Sequence, residues 1–203
     1  FGSFTLLAPS RVVSGSTLAP SAASLVVHFH ELSAGVPDET IWGLLSNYEG
    51  GENLVRNPSF SFDNAGKLTG WDISGSSPVS QEQAGGSLLL TSETVSAGVN
   101  AVQKVPLKSD TLYVLRFECR NQLSEGTQRV YITFLEPNSE LRAFPSGDGY
   151  VCSGGMDWHS GKILFRAPPS DQADPLATIW LRNFGVGNVY FRRVSLTPIP
   201  LAE

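Results

Sequence analysis

The chain has 203 residues, 41% of them hydrophobic and 16% charged, which suits one large domain or one domain with an extension. Its formal net charge is −5 and it carries no Lys/Arg run, which argues against nucleic-acid binding, since phosphate recognition normally needs a basic patch. Twenty Gly and 13 Pro beside 11 Phe and a single Met describe turn-rich β-structure around an aromatic and β-branched core, and no apolar run approaches the roughly 20 residues that span a bilayer.

The chain opens at Phe1-Gly-Ser-Phe4 without a Met, and the expectation is a mature chain whose export signal has been removed. Ser, Ala, Pro and Gly dominate residues 8–24, a loose segment. Residues 25–32 read as a strand, and residues 37–45 as a short helix with Pro37 or Asp38 at its start and Ile41, Leu44 and Leu45 on one face. Residues 47–51 read as a connector. Residues 1–50 are too short for a core of their own. They are expected to be an N-terminal extension packing on the main domain, residues 51–203, or on a neighbouring one.

From Asn53 onward short strands alternate with turn signals. Strands are expected at 54–60, 71–74, 87–90, 99–105, 111–120, 128–135, 162–167, 177–183 and 189–197, with a turn at 136–139 and a tight hairpin loop at 185–188. This spacing without helical periodicity predicts an all-β protein, a two-sheet antiparallel β-sandwich. Side chains alternate across a strand, so each strand separates into two faces. Tyr113, Leu115, Phe117 and Cys119 oppose Val114, Arg116, Glu118 and Arg120; Val130, Ile132 and Phe134 oppose Tyr131 and Thr133; Ile179 and Leu181 oppose Thr178, Trp180 and Arg182. Cys119 and Cys152 are the only cysteines. They permit one disulfide that their spacing does not dictate, and Cys119 also reads as a small buried hydrophobe.

Several segments resemble one family. Asn53-Leu-Val-Arg-Asn-Pro-Ser-Phe60 is similar to the opening strand of the jelly-roll, galactose-binding-domain-like carbohydrate-binding modules, the broad group that holds families four, nine and twenty-two. Gly70-Trp71 resembles their first packing Trp, Tyr113–Arg120 their central strand, Asp157-Trp158 their Trp before a strand, and Val189–Leu196 their closing strand. The resemblance implies a non-catalytic module of a secreted or cell-surface bacterial protein, with a carbohydrate as partner and a polysaccharide-degrading enzyme attached or cooperating. Two departures concern the family's structural calcium. Ser61 stands where the family usually has Glu, and Arg192-Arg193-Val194 where it usually has Asp-Asp-Val. Calcium takes six to eight oxygen ligands and Arg offers none. That calcium is therefore expected to be absent, with Arg193 in its place and pairing with Asp63.

Sugar recognition combines aromatic stacking on pyranose faces with hydrogen bonds to hydroxyls. Trp180 is the leading candidate, because Ile179 and Leu181 claim the core and send its indole to the other face. Tyr131 belongs to the non-core set of another strand. Arg116, Glu118, Arg120, Thr133 and Arg182 supply polar groups if their strands share a sheet, and arginines suit an acidic sugar. The plain alternative is a solvated outer face or one covered by residues 1–50. Trp71 and Trp158 read as framework, and Trp42 as an anchor of the extension. His28 and His30 share a strand face at zinc-ligand spacing, but only His159 remains as a third histidine and nothing places it nearby. Asp148, Asp157, Asp171 and Asp174 read as loop formers rather than paired catalytic acids, and no nucleophile-elbow or phosphate-loop motif is found. No catalytic residue, metal ligand or cofactor is assigned. A structural or protein-interaction sandwich with no sugar site is the alternative function; a jelly-roll lyase or hydrolase, needing a groove of converging Tyr, His, Arg or paired acids, ranks third.

Overall fold

The computed structural model describes residues 50–75, 79–82, 86–95, 98–135, 141–144, 149–152, 154–169 and 174–199, and the backbone of two short strands nearer the N-terminus. Those two, β1 (Gly2–Leu6) and β2 (Leu25–Phe29), pair antiparallel as a sheet of their own, Gly2 opposite Phe29. β2 accounts for the strand expected at 25–32; the helix expected at 37–45 and Trp42 lie outside the described residues. Among the described residues all regular structure is β-strand.

The remaining strands form one antiparallel nine-stranded sheet: β3 (Asp72–Ser74), β4 (Val79–Glu82), β5 (Ser87–Ser92), β6 (Val99–Pro106), β7 (Leu112–Leu135), β8 (Leu141–Phe144), β9 (Tyr150–Val151), β10 (Gly155–Arg166) and β11 (Leu176–Ile199). β7 and β11, 24 residues each, run side by side from the Leu112–Ile199 pair to the Phe134–Ala177 pair. Each replaces two of the expected strands. The hairpin expected at 185–188 is not formed, because Gly185 pairs with Gly126 and Asn188 with Gln122 inside the continuous ladder. Glycine is required at this crossing. A Cβ on Gly126 would sit 2.3 Å from the Phe184 carbonyl oxygen, and its φ is +85°.

The long strands carry the sheet over onto itself. The first half of β7 and second half of β11 join β10, β5 and β4 in one layer; the other halves join β6, β3, β8 and β9 in the second. Two register shifts keep the apolar side chains inward. Ser124 is an extra residue opposite the Val186–Gly187 step, so the buried set of β7 changes from Tyr113, Leu115, Phe117 and Cys119 to Val130, Ile132 and Phe134. On β11 a bulge between Arg192 and Ser195, with Arg193 at φ +51°, moves the buried set from Val189 and Phe191 to Val194 and Leu196. The layers meet through Phe134 against Phe165, ring centroids 6.3 Å apart, and Phe117 edge-on to Tyr150 at 5.0 Å. Cys119 of the first layer is disulfide-bonded to Cys152, which follows β9 and donates its N–H to the Gln128 carbonyl in the second. The staple that the sequence left open is thus made across the core, and neither thiol is free.

The strand expected at 54–60 is a hook instead. Leu54 donates one N–H to the Leu196 carbonyl, and the Asn53 carboxamide oxygen accepts from the Val55 and Leu196 N–H groups at 3.0 Å each. Asn57, at φ +50°, donates its Nδ2 to the carbonyls of Ser61 and Thr69 and to the Thr69 hydroxyl at 2.7–2.9 Å, while its Oδ1 accepts from the Ser61 N–H. Buried Gln103 of β6 holds the hook from below, donating to the carbonyls of Arg56 and Gly70 and accepting from the Arg56 N–H. The polar residues of this motif therefore act as backbone surrogates where no strand partner exists. Its Phe60 is fully buried against Trp71, 5.4 Å between centroids, which makes Trp71 the framework residue it was expected to be.

Candidate functional site

The outer face of the second layer carries the aromatic platform. Trp180 of β11 lies directly opposite Tyr131 of β7, and their rings stack with centroids 5.7 Å apart and planes 19° apart. Flanking Ile179, Leu181, Val130 and Ile132 are completely buried, so alternation drives both rings outward, where they are half-buried. The row continues through Val102 of β6 to exposed Asp72 of β3. The next row is Val151, Arg129, Arg182, Asn100 and Ser74.

Polar contacts fix the rings. The indole Nε1–H of Trp180 donates to the Thr133 hydroxyl at 2.9 Å, and Arg182 Nη1 donates to the Tyr131 hydroxyl. The Arg182 guanidinium lies over Phe184 at 3.7 Å from the ring centroid and flanks Trp180 and Tyr131 at 5.4 and 5.5 Å; Arg129 approaches Phe184 at 5.4 Å. Cations on ring faces hold flat side chains in place at little entropic cost. Phe184 and Arg129 were missed in the sequence. Both continue the alternation that places Trp180 and Tyr131: Phe184 falls just past the strand expected at 177–183, beside Gly185 that read as a loop residue, while Arg129 lies within the strand expected at 128–135.

The other three candidates do not join this face. Arg116, Glu118 and Arg120 lie on the first half of β7, whose outer face is on the opposite side of the sandwich. Their strands do share a sheet, but the sheet is folded between them and Trp180. Glu118 accepts from Arg192 Nε at 2.5 Å and Arg193 Nη1 at 2.8 Å. Partial burial raises its pKa, yet the hydrogen bonds and charges of these two arginines outweigh that and hold the carboxyl below its ordinary value. Arg193 thus pairs with Glu118, not with Asp63, whose Oδ1 instead accepts the N–H groups of Ala65 and Lys67. Trp158 lies inside β10 rather than before it, with Arg120 at 4.6 Å and Arg192 at 4.0 Å from its ring centroid. Val114, Leu164 and Thr197 form one row of this outer face and are buried.

The Ser61 carbonyl accepts from Asn57 and Thr69, while Arg192 and Arg193 both bond Glu118. His159 stands opposite Cys119 on β10, whereas the His28 and His30 side chains lie outside the described residues. Of the loop acids, Asp174 accepts from the Ser109 N–H at 3.4 Å and Asp157 is exposed on β10; Asp148 and Asp171 lie outside the described residues.

The two-layer antiparallel sandwich is matched by solved structures. A family 16 carbohydrate-binding module shares the fold at a TM-score of 0.53 with 20% identity, over 71% of this chain and 99% of that one. The CBM22-1 xylan-binding domain of Paenibacillus barcinonensis Xyn10C matches at 0.51 with 10% identity, over 75% and 97%. The enzymatically active domain of bacteriophage CBA120 tailspike protein 4 matches at 0.53 with 21% identity, over 72% of this chain but 21% of its own length. No protein-family model matches the chain, and no curated protein matches its sequence.

Proposed function

We propose that this chain is a non-catalytic carbohydrate-binding module whose ligand lies on the Trp180 face. One observation carries this reading: Trp180 and Tyr131 form a fixed pair of stacked, nearly parallel rings on the outer face of the second layer, bordered by Arg182. The outward part of this pair offers apolar contact to a pyranose ring while the surrounding polar groups meet its hydroxyls. The fold shared with a family 16 module and a xylan-binding domain supports the same class of ligand. The cross-layer disulfide suits an extracytoplasmic protein, since such bonds persist in oxidising compartments. Attachment to or cooperation with a polysaccharide-degrading enzyme belongs to this reading, as does a framework that needs no calcium.

A structural or protein-interaction module of the same fold is the second reading. It is favoured by the bonds already made on the face, where the Trp180 indole N–H is taken up by Thr133 and one Arg182 nitrogen by Tyr131. A glycan array followed by titration of Trp180→Ala against wild type separates the two. Binding that Trp180→Ala abolishes supports the module, binding that survives it unchanged refutes the platform, and no binding to any glycan supports the structural reading. Turnover in a reducing-end assay on pooled polysaccharides would overturn the non-catalytic assignment.

A further inference from the structure

We propose that the Trp180 face selects acidic polysaccharides, with a uronate carboxylate of the ligand pairing with Arg182; the inference rests on the carbohydrate-binding reading above and names its ligand class. Arg182 sits half-buried in the middle of the second layer's outer face. Among the described residues its guanidinium meets no carboxylate: its partners are the Tyr131 hydroxyl and the faces of Phe184, Trp180 and Tyr131. Its Nε is buried with no hydrogen-bond partner. Three arginines elsewhere do meet carboxylates. Arg192 and Arg193 both bond Glu118, and Arg166 pairs with Asp110 at 2.7 Å.

A cation partly withdrawn from water without a counter-anion has lost hydration that aromatic faces replace only in part. A carboxylate restores the balance, and its planar pair of oxygens matches the guanidinium fork. The rest of the face agrees in sign. Arg129 is in the same row, and Lys104 stands one row beyond Trp180, opposite Thr178; Asp72 is displaced to the edge, beyond Val102. Directly opposite Arg182 on β6, Asn100 is 8% exposed, donates its Nδ2 to the Ser74 hydroxyl, and has an Oδ1 without a partner. Both of these unpartnered atoms, Arg182 Nε and Asn100 Oδ1, are themselves buried and lie beneath the face rather than on it. A uronate brings a carboxylate to the half-buried guanidinium, whereas a neutral pyranose leaves the cation uncompensated.

The test uses polygalacturonate, alginate and hyaluronate, each beside its carboxyl-reduced form, with xylan and mannan as neutral arms, in affinity electrophoresis and calorimetry on the whole chain. At least one uronan is expected to bind roughly ten- to a hundredfold more tightly than its reduced form, with the preference shrinking as salt is raised. Arg182→Gln should erase that preference while leaving residual binding of the reduced form, and Arg182→Lys should retain only part of it. Trp180→Ala should weaken both forms alike. Thermal melts identify any variant that fails to fold, and the comparison of each uronan with its reduced form on the wild-type chain stands without variants. Equal affinity for both forms, or binding to neutral arms alone, overturns the acidic-ligand inference and leaves the carbohydrate-binding reading standing. No binding in any arm overturns both.

Discussion

Breaking the Cys119–Cys152 bond should loosen the two layers from one another. The bond closes a loop of 33 residues in sequence separation and joins the first layer to the segment after β9 in the second. In the chain-entropy treatment, a loop of this length raises the stability of the folded state by about 3.7 kcal/mol, because the unfolded chain can no longer separate its ends. For a domain of this size that corresponds to a fall of about 7–15 °C in melting temperature on reduction. Cys119 is fully buried and Cys152 4% exposed, so reduction in the native state should be slow and is best completed under mild denaturation before refolding. Calorimetric melts of oxidised, reduced and Cys119→Ala/Cys152→Ala protein measure the effect, and thiol titration of the unfolded, unreduced chain should find no free thiol. Two titratable thiols, or melts that coincide within about 2 °C, would refute the reasoning, since the loop term would then have no counterpart.

Asn57→Ala removes the hub of the N-terminal hook and puts a residue with a Cβ but no compensating amide at φ +50°. A loss of about 2 kcal/mol in urea unfolding is expected, and a loss indistinguishable from zero would mean the hook holds without it. Gly126→Ala should cost about 3 kcal/mol or more, because the new methyl meets the Phe184 carbonyl oxygen, which belongs to the backbone and cannot rotate away; a melt matching wild type would show that the crossing is looser than described. Glu118→Gln should flatten the acid limb of stability. A carboxyl whose folded pKa is depressed below 4.5 contributes stability that is fully present above that value and is lost as pH falls through the folded pKa. Melting temperatures of wild type and variant across the acid range check this, and parallel curves would count against the Arg192–Glu118–Arg193 pairing.

Alternation was the most legible signal. It correctly separates Ile179 and Leu181 from Trp180, and Val130 and Ile132 from Tyr131, because a strand's side-chain period of two depends on no partner. It did not reveal that Trp180 and Tyr131 are directly opposed, since register is a relation between strands. Nor did it show that Arg116, Glu118 and Arg120 face the other way. Their strand reads the same whether it ends near Arg120 or continues through Gly126. Gly185 and Gly187 likewise satisfy a hairpin and a bend equally well, as both demand a residue without a Cβ. The motif at 53–60 was recognised as framework but taken for a strand, because Asn53 and Asn57 act through side-chain bonds to distant backbone groups.

The sequence by itself determined an all-β sandwich, the apolar face of each strand, and the outward placement of Trp180 and Tyr131, all consequences of local periodicity and turn chemistry. Only the tertiary structure decided that β7 and β11 each cross both layers, that Cys119 bonds Cys152, that Arg192 and Arg193 share Glu118, and that Arg182 lies beside the aromatic pair with no carboxylate on it among the described residues. Those outcomes turn on which residues, far apart in the chain, arrive at the same place once one sheet closes over its own core.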